Sequence, residues 1–195
     1  RHHAVEQGDR SMQVLGQMAS SFAARASGDL DLAEAELREL LVESGVDPDE
    51  LGSGTASVRS TEGRTATESA PHVVSIAIEL GFVAEERGDT DRALALHRWV
   101  LDTALAEGYP RDAVGALEGL AATLSARGDT IVAARLLGAA SAARDRGDFA
   151  PSPAEQHDID RARMRVEAAA GPEETARLVA EGRMLSCDAA RAALG

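Results

Sequence analysis

The stretch Leu80-Gly81-Phe82-Val83-Ala84-Glu85-Glu86-Arg87-Gly88-Asp89, followed by Ala93, returns forty residues later as Leu120-Ala121-Ala122-Thr123-Leu124-Ser125-Ala126-Arg127-Gly128-Asp129, followed by Ala133. Each copy ends on Gly-Asp. Glycine closes a helix in the left-handed conformation that other residues resist, and the aspartate side chain accepts free N–H bonds at the start of the next helix. Gly81 and Ala93 fit places where paired helices approach closely. Leu80, Ala84, Leu96, Val100, Leu120, Leu124, Leu136 and Leu137 supply the apolar stripe. The two stretches read as copies of one helical hairpin, and the fold class that follows is all-α.

Working outward, Gly-Asp also occurs at Gly28-Asp29 and Gly147-Asp148, with related glycines at Gly8 and Gly108, so the chain is marked about every twenty residues. That interval is one helix plus its turn. A weaker copy of the hairpin runs from about Ser11 to Ser44, with Met12, Leu15, Phe22, Ala33, Leu37 and Leu40 in comparable roles. Residues 1–8 match the end of a second helix and read as the tail of a truncated preceding repeat, which suggests a segment of a longer protein. Residues 9–148 then hold three hairpins interrupted at 52–70, where 11 of 19 residues are Gly, Ser or Thr, a composition that reads as a flexible loop. Pro71 is expected to open the helix after it. A second break falls at Phe149-Ala150-Pro151. Residues 149–195 read as a C-terminal cap: Ser152-Pro153-Ala154-Glu155 opens a helix as a capping box running to about Ala170, Pro172 opens another to about Arg183, and Ser186 caps a short last one.

Composition removes several function classes. All 20 basic residues are arginine, 39 of 195 residues are alanine, and neither lysine nor asparagine occurs, which favours helix. A formal charge of -13 with no arginine cluster disfavours direct nucleic-acid contact. No apolar run approaches a membrane span, and a soluble, cytoplasmic chain is expected. A phosphate-cradling Gly-x-x-x-x-Gly-Lys loop is impossible without lysine, so no ATPase site is expected in this segment.

On the repeated residues the sequence resembles the tetratricopeptide repeat family, in the variant whose period is nearer forty residues than thirty-four. The resemblance is more specific in the last third, through Gly128-Asp129, Ala133-Ala134-Arg135-Leu136-Leu137-Gly138-Ala139-Ala140, Pro153-Ala154-Glu155, and Leu178-Val179-Ala180-Glu181-Gly182-Arg183-Met184-Leu185-Ser186 with Ala189. It looks like the C-terminal end of actinobacterial multidomain regulators, in which a nucleotide-binding ATPase module precedes the repeats beside a DNA-binding domain of the LuxR or antibiotic-regulatory type. The resemblance implies a right-handed superhelical solenoid of antiparallel hairpins with a helical cap, acting in protein–protein interaction or transcriptional regulation. It carries over no catalytic residue, and neither an enzyme activity nor a cofactor is expected.

Such solenoids expose a concave groove lined by the first helix of each hairpin. By register, Met18 and Phe22, Ile78 and Phe82, and Glu118 and Ala122 face it, with Arg25, Glu85 and Ser125 one turn further on. The occupant expected is a protein or peptide segment, including another domain of the same chain, and self-association stays open. The same spacing also fits Phe22 and Phe82 as core between helices. A second reading closes the concave surface over an apolar inducer.

Trp99, beside His97 and Arg98, fits an interface anchor or packing near Tyr109. His2, His3, His72, His97 and His157 lack the spacing of a metal site, so no metal is expected. Cys187 fits a reactive thiol at a helix N-terminus or a buried packing residue. The paired carboxylates Glu85-Glu86, Asp89-Asp91 and Glu173-Glu174 read as helix first turns or exposed faces.

Overall fold

The computed structural model describes residues 14, 16–52 and 66–194, and among them every regular element is a helix. In chain order these are α1 (16–26), α2 (Leu30–Glu43), α3 (Ala66–Glu86), α4 (Thr90–Glu107), α5 (Pro110–Arg127), α6 (Thr130–Gly147), α7 (Pro153–Ala170), α8 (Pro172–Gly182) and α9 (Cys187–Ala192). No helix among the described residues is long and apolar enough to cross a membrane. The expected repeat tail at 1–8 lies outside the described residues, as does most of the expected loop at 52–70.

The Gly-Asp turns behave as a repeated unit. Gly28, Gly88 and Gly128 all have φ between +83° and +87°, and the N–H groups of Asp29, Asp89 and Asp129 donate to the carbonyls of Ala24, Ala84 and Leu124 at 2.9 Å each. The side chains of Asp29 and Asp89 then accept from the N–H groups of Leu32 and Arg92, while Asp129 makes no such bond. The fourth Gly-Asp departs from this scheme. Gly147 is the last residue of α6, and Asp148 takes the left-handed conformation at φ +52°. The reason is Phe149, whose ring lies so close to Gly147 that a Cβ there would fall 1.9 Å from Cε1. Ser152 and Glu155 form the expected capping box of α7, and Ser186 caps α9. One boundary moves: α3 begins at Ala66, five residues before Pro71. A proline beyond the first turn forfeits one helical bond and crowds the carbonyl four residues back, so this earlier start of α3 carries a cost.

Helices α3 to α8 follow a ladder, in which α3 packs on α4, α4 on α5, α5 on α6 and α7 on α8, while α3 meets α5, α5 meets α7, and α6 meets α8. The α7–α8 pair departs from the scheme of the preceding pairs: α8 packs directly on α6, where α6 makes no comparable contact with α4, and α7 leans on α5 and α6 more than on α8. Only α9 turns back, to α4, α5 and α6, where Arg191 donates to both oxygens of Asp102 at 2.6 and 3.0 Å. One continuous core of leucine, valine and alanine runs through the ladder, and it includes seven of the eight residues of the expected stripe, while the eighth, Ala84, is buried beside it.

The contact between α6 and α8 is backbone against backbone. A Cβ on Gly138 would lie 2.1 Å from the carbonyl oxygen of Val179, and one on Gly182 would lie 2.0 Å from that of Arg135. Neither neighbour is a side chain that can rotate away. Gly138→Ala is therefore expected to destabilise by about 1–3 kcal/mol through overpacking, despite a helix-propensity gain of about 1 kcal/mol. Hydrogen exchange should show α8 amides losing protection first. Gly115→Ala, which meets only the flexible end of Ile78 at 3.2 Å, is the control expected to stay near neutral.

Candidate partner-binding face

Helix α7 packs on α5 and is ion-paired to α1 and α3, and it brings an unusual stripe to that contact. Asp158, Arg161, Ala162, Arg165 and Val166 recur at helical spacing, so two buried apolar residues share a stripe with three charged ones. Ala162 and Val166 anchor the helix on the core, and the charged groups are thereby drawn inside.

Their partners come from α1 and α3. The guanidinium of Arg25 donates to both carboxylate oxygens of Asp158, at 2.9 and 2.8 Å, and to Glu86 at 2.7 Å, and lies 3.4 Å from Glu79. Arg161 lies 2.5 Å from Glu85, 2.8 Å from Glu86 and 3.3 Å from Asp158, and Arg165 is 2.5 Å from Glu85. The Arg25–Asp158 pair joins the first described helix to α7 across a sequence separation of 133 residues. A second cluster lies beside it. Arg144 donates to both oxygens of Glu118, at 2.7 and 2.8 Å, and to Glu155 at 3.1 Å.

Burial sets the protonation of these groups. Glu79 is pushed up to about 8 because burial outweighs the attraction of Arg25. Burial opposes the charge on Arg25, yet its hydrogen bond to Asp158 and the pull of Glu79, Asp158 and Glu86 prevail and move its pKa upward. Arg25, Arg161 and Arg165 thus face Glu85, Glu86 and Asp158, with Glu79 beside Arg25. Glu118 is also raised by burial, against the pull of Arg144.

None of the expected groove residues is fully exposed. Arg25, Phe82, Glu85, Glu118 and Ala122 are buried, while Met18, Phe22, Ile78 and Ser125 are half-buried. Arg25 lies 5.2 Å over the ring of Phe82, and that ring meets His97 edge-on at 5.1 Å.

No family model, curated protein or solved structure matches the chain.

Two sequence readings change. Glu85 and Glu86 do not lie on an exposed face, because Arg161 and Arg165 from α7 cover them. The thiol of Cys187 sits at the first position of α9, but burial pushes its pKa up, away from the reactive form. Trp99 and Tyr109 are each half-buried against the common core. His2 and His3 lie outside the described residues, His72 and His157 are exposed, and His97 is fully buried. Among the described residues no three His, Cys, Asp or Glu converge as metal ligands.

The sequence reading missed His97 and the charged residues of α7. His97 projects from α4 against Gly81 of α3 and Gly119 of α5, where Cβ atoms would fall 2.4 and 2.2 Å from its ring. The Gly115-x-x-x-Gly119 spacing on α5 was the available signal of such a close approach.

Proposed function

We propose that this chain is a non-catalytic protein-interaction module: a tetratricopeptide-like, right-handed superhelix of antiparallel hairpins, serving as the C-terminal sensor or scaffold region of a cytoplasmic, actinobacterial-type transcriptional regulator. The contact ladder and the thrice-repeated Gly-Asp turn support the architecture. The observation that carries the function is the charged seam joining α1, α3 and α7.

A face closed by ion pairs differs energetically from one closed by leucines. When ion pairs part, water solvates the charges and offsets much of the lost attraction, whereas parted apolar faces stay costly and aggregate. The charged part of this contact is therefore suited to exchange, while Ala162 and Val166 hold α7 on the core. A partner segment with alternating acidic and arginine residues would replace the contacts that α7 makes.

The test places a photo-crosslinking amino acid at Phe22 or Ser125 of the expected groove, and at Ile131, an exposed position on α6, as control. In the source cells, one discrete crosslinked protein, or a crosslink to another domain of the same chain, is expected from the groove positions only. Equal labelling from Ile131, or no adduct from Phe22 and Ser125, would remove the reading.

A further inference from the structure

Between α6, α7 and α8, and bordered by the connection 148–151, lies a cavity of about 520 Å³. Its size falls within the range of small-molecule sites. Leu137, Phe149, Ile159 and Val179 supply its apolar wall, and the buried Glu118–Arg144 pair forms part of its lining.

The wall is built rather than left over. Phe149 is fixed by three separate features of the connection. Gly147 leaves the space its ring needs, Asp148 takes the left-handed turn, and the guanidinium groups of Arg111 and Arg144 lie 6.0 and 5.9 Å from the ring centre. A left-handed non-glycine residue carries a conformational cost, even if aspartate bears it better than most. Here that conformation is tied to an aromatic side chain that remains only half-covered by protein, as do Ile159 and Val179.

The charges around the cavity narrow what it takes. Arg144 is already met by Glu118 and Glu155, and the Asp145 carboxylate accepts from Arg183 at 2.7 Å. Asp148 adds a further acid to the lining. Arg163, the other cation of the lining, lies 3.5 Å from Glu167, so an anion would meet the Asp145 and Asp148 carboxylates and arginines that are each already paired.

We propose that this cavity is a binding site for an uncharged, largely apolar small molecule, held against the Phe149 ring between α6, α7 and α8. It shares only Glu118 with the expected partner face and does not depend on a protein partner.

The probe is Nile red, an uncharged dye whose fluorescence rises in apolar surroundings, titrated into the intact chain beside the anionic dye anilinonaphthalene sulfonate. A saturable, single-site rise is expected with Nile red, with weaker binding of the sulfonate. Ile159→Trp should fill the cavity and weaken Nile red binding at least about tenfold, while cooperative thermal unfolding reports that the variant is folded. Ala150→Trp, on the exposed connection beside Phe149, fills the same space from that side and decides the matter where Ile159→Trp fails to fold. Absence of a saturable rise, or wild-type Nile red affinity in a folded filled variant, would overturn the site. Tighter binding of the sulfonate than of Nile red would overturn the ligand class.

Discussion

Arg25→Ala is expected to lower the unfolding free energy by about 3–5 kcal/mol, because it removes one member of a buried ion pair and leaves the other behind. Arg25 and Asp158 expose only 7 % and 3 % of their side chains, so water cannot replace the lost guanidinium without a rearrangement of α1 or α7. The same deletion strips Glu86 of one of its two arginines and removes the cation over Phe82. Asp158→Ala should cost a similar amount by leaving Arg25 short of its bidentate acceptor. The double variant should lose clearly less than the sum of the two, with a coupling of about 1–3 kcal/mol in a denaturant double-mutant cycle. Additive losses would mean that the bridge between α1 and α7 does not form. An exposed pair provides the contrast: Arg38→Ala, which breaks only a contact with the exposed Asp49, is expected to stay within about 1 kcal/mol of the parent. Added salt should weaken such exposed pairs and scarcely affect the Arg25–Asp158 coupling. If the expected groove accepts a partner, the Arg25→Ala variant should also crosslink more readily at Ser125, since one of the ties that hold α7 in place is gone.

The sequence made the local structure readable because its punctuation is local. Gly88-Asp89 and Gly128-Asp129 specify a left-handed residue and the start of the next helix within a few positions, and the stripe from Leu80 to Leu137 follows from 3.6-residue spacing alone. The helical register of Arg25, Phe82, Glu85 and Glu118 was equally accessible, but not that all four are buried. What these residues touch was not accessible. The partner of Arg25 lies 133 residues away, and the pairing depends on how far each hairpin rotates relative to the last, a quantity summed over many weak packing preferences. Helix α7 also hides its role by composition. It has only two fully buried aliphatic residues, Ala162 and Val166, and its arginines resemble those of a solvated face until their acceptors are known. Residues 149–195 read as a terminal cap for a related reason. The longer connection after Asp148 breaks the spacing in the sequence, and α8 then packs directly on α6 in a way the earlier hairpins do not.

His97 and Glu79 are expected to give opposite pH dependences that nearly cancel in the parent protein and separate when either is replaced. The imidazole of His97 is fully buried, both its nitrogens lack a hydrogen-bond partner, and burial with the nearby charge of Arg25 pushes its pKa down to about 3. In the unfolded chain it titrates near 6.5. Below that pH the unfolded state binds a proton that the folded state refuses, so this histidine's contribution is intact above pH 6.5 and is lost as pH falls toward 3. Glu79 behaves in the reverse sense. Its folded pKa of about 8 exceeds the ordinary 4.5, so the folded state holds the extra proton, and its contribution is complete below pH 4.5 and lost as pH rises through 8. Between pH 7 and 4.5 each effect amounts to about 2–3 kcal/mol, with opposite sign. His97→Leu should therefore gain stability over the parent by about that amount as pH is lowered from 7 to 4.5, and Glu79→Gln should lose about as much over the same interval. Measuring both as differences from the parent in denaturant titrations at each pH cancels the remaining carboxylates. His97→Leu has a further consequence at neutral pH, because it removes two unpartnered ring nitrogens from a site packed between glycines. Replacing an unsatisfied buried polar group by an apolar one of similar size is neutral or stabilising, by up to about 2 kcal/mol. A variant that loses stability at pH 7 and shows the parent's pH dependence would mean that the ring is hydrogen-bonded and able to accept a proton in the folded protein.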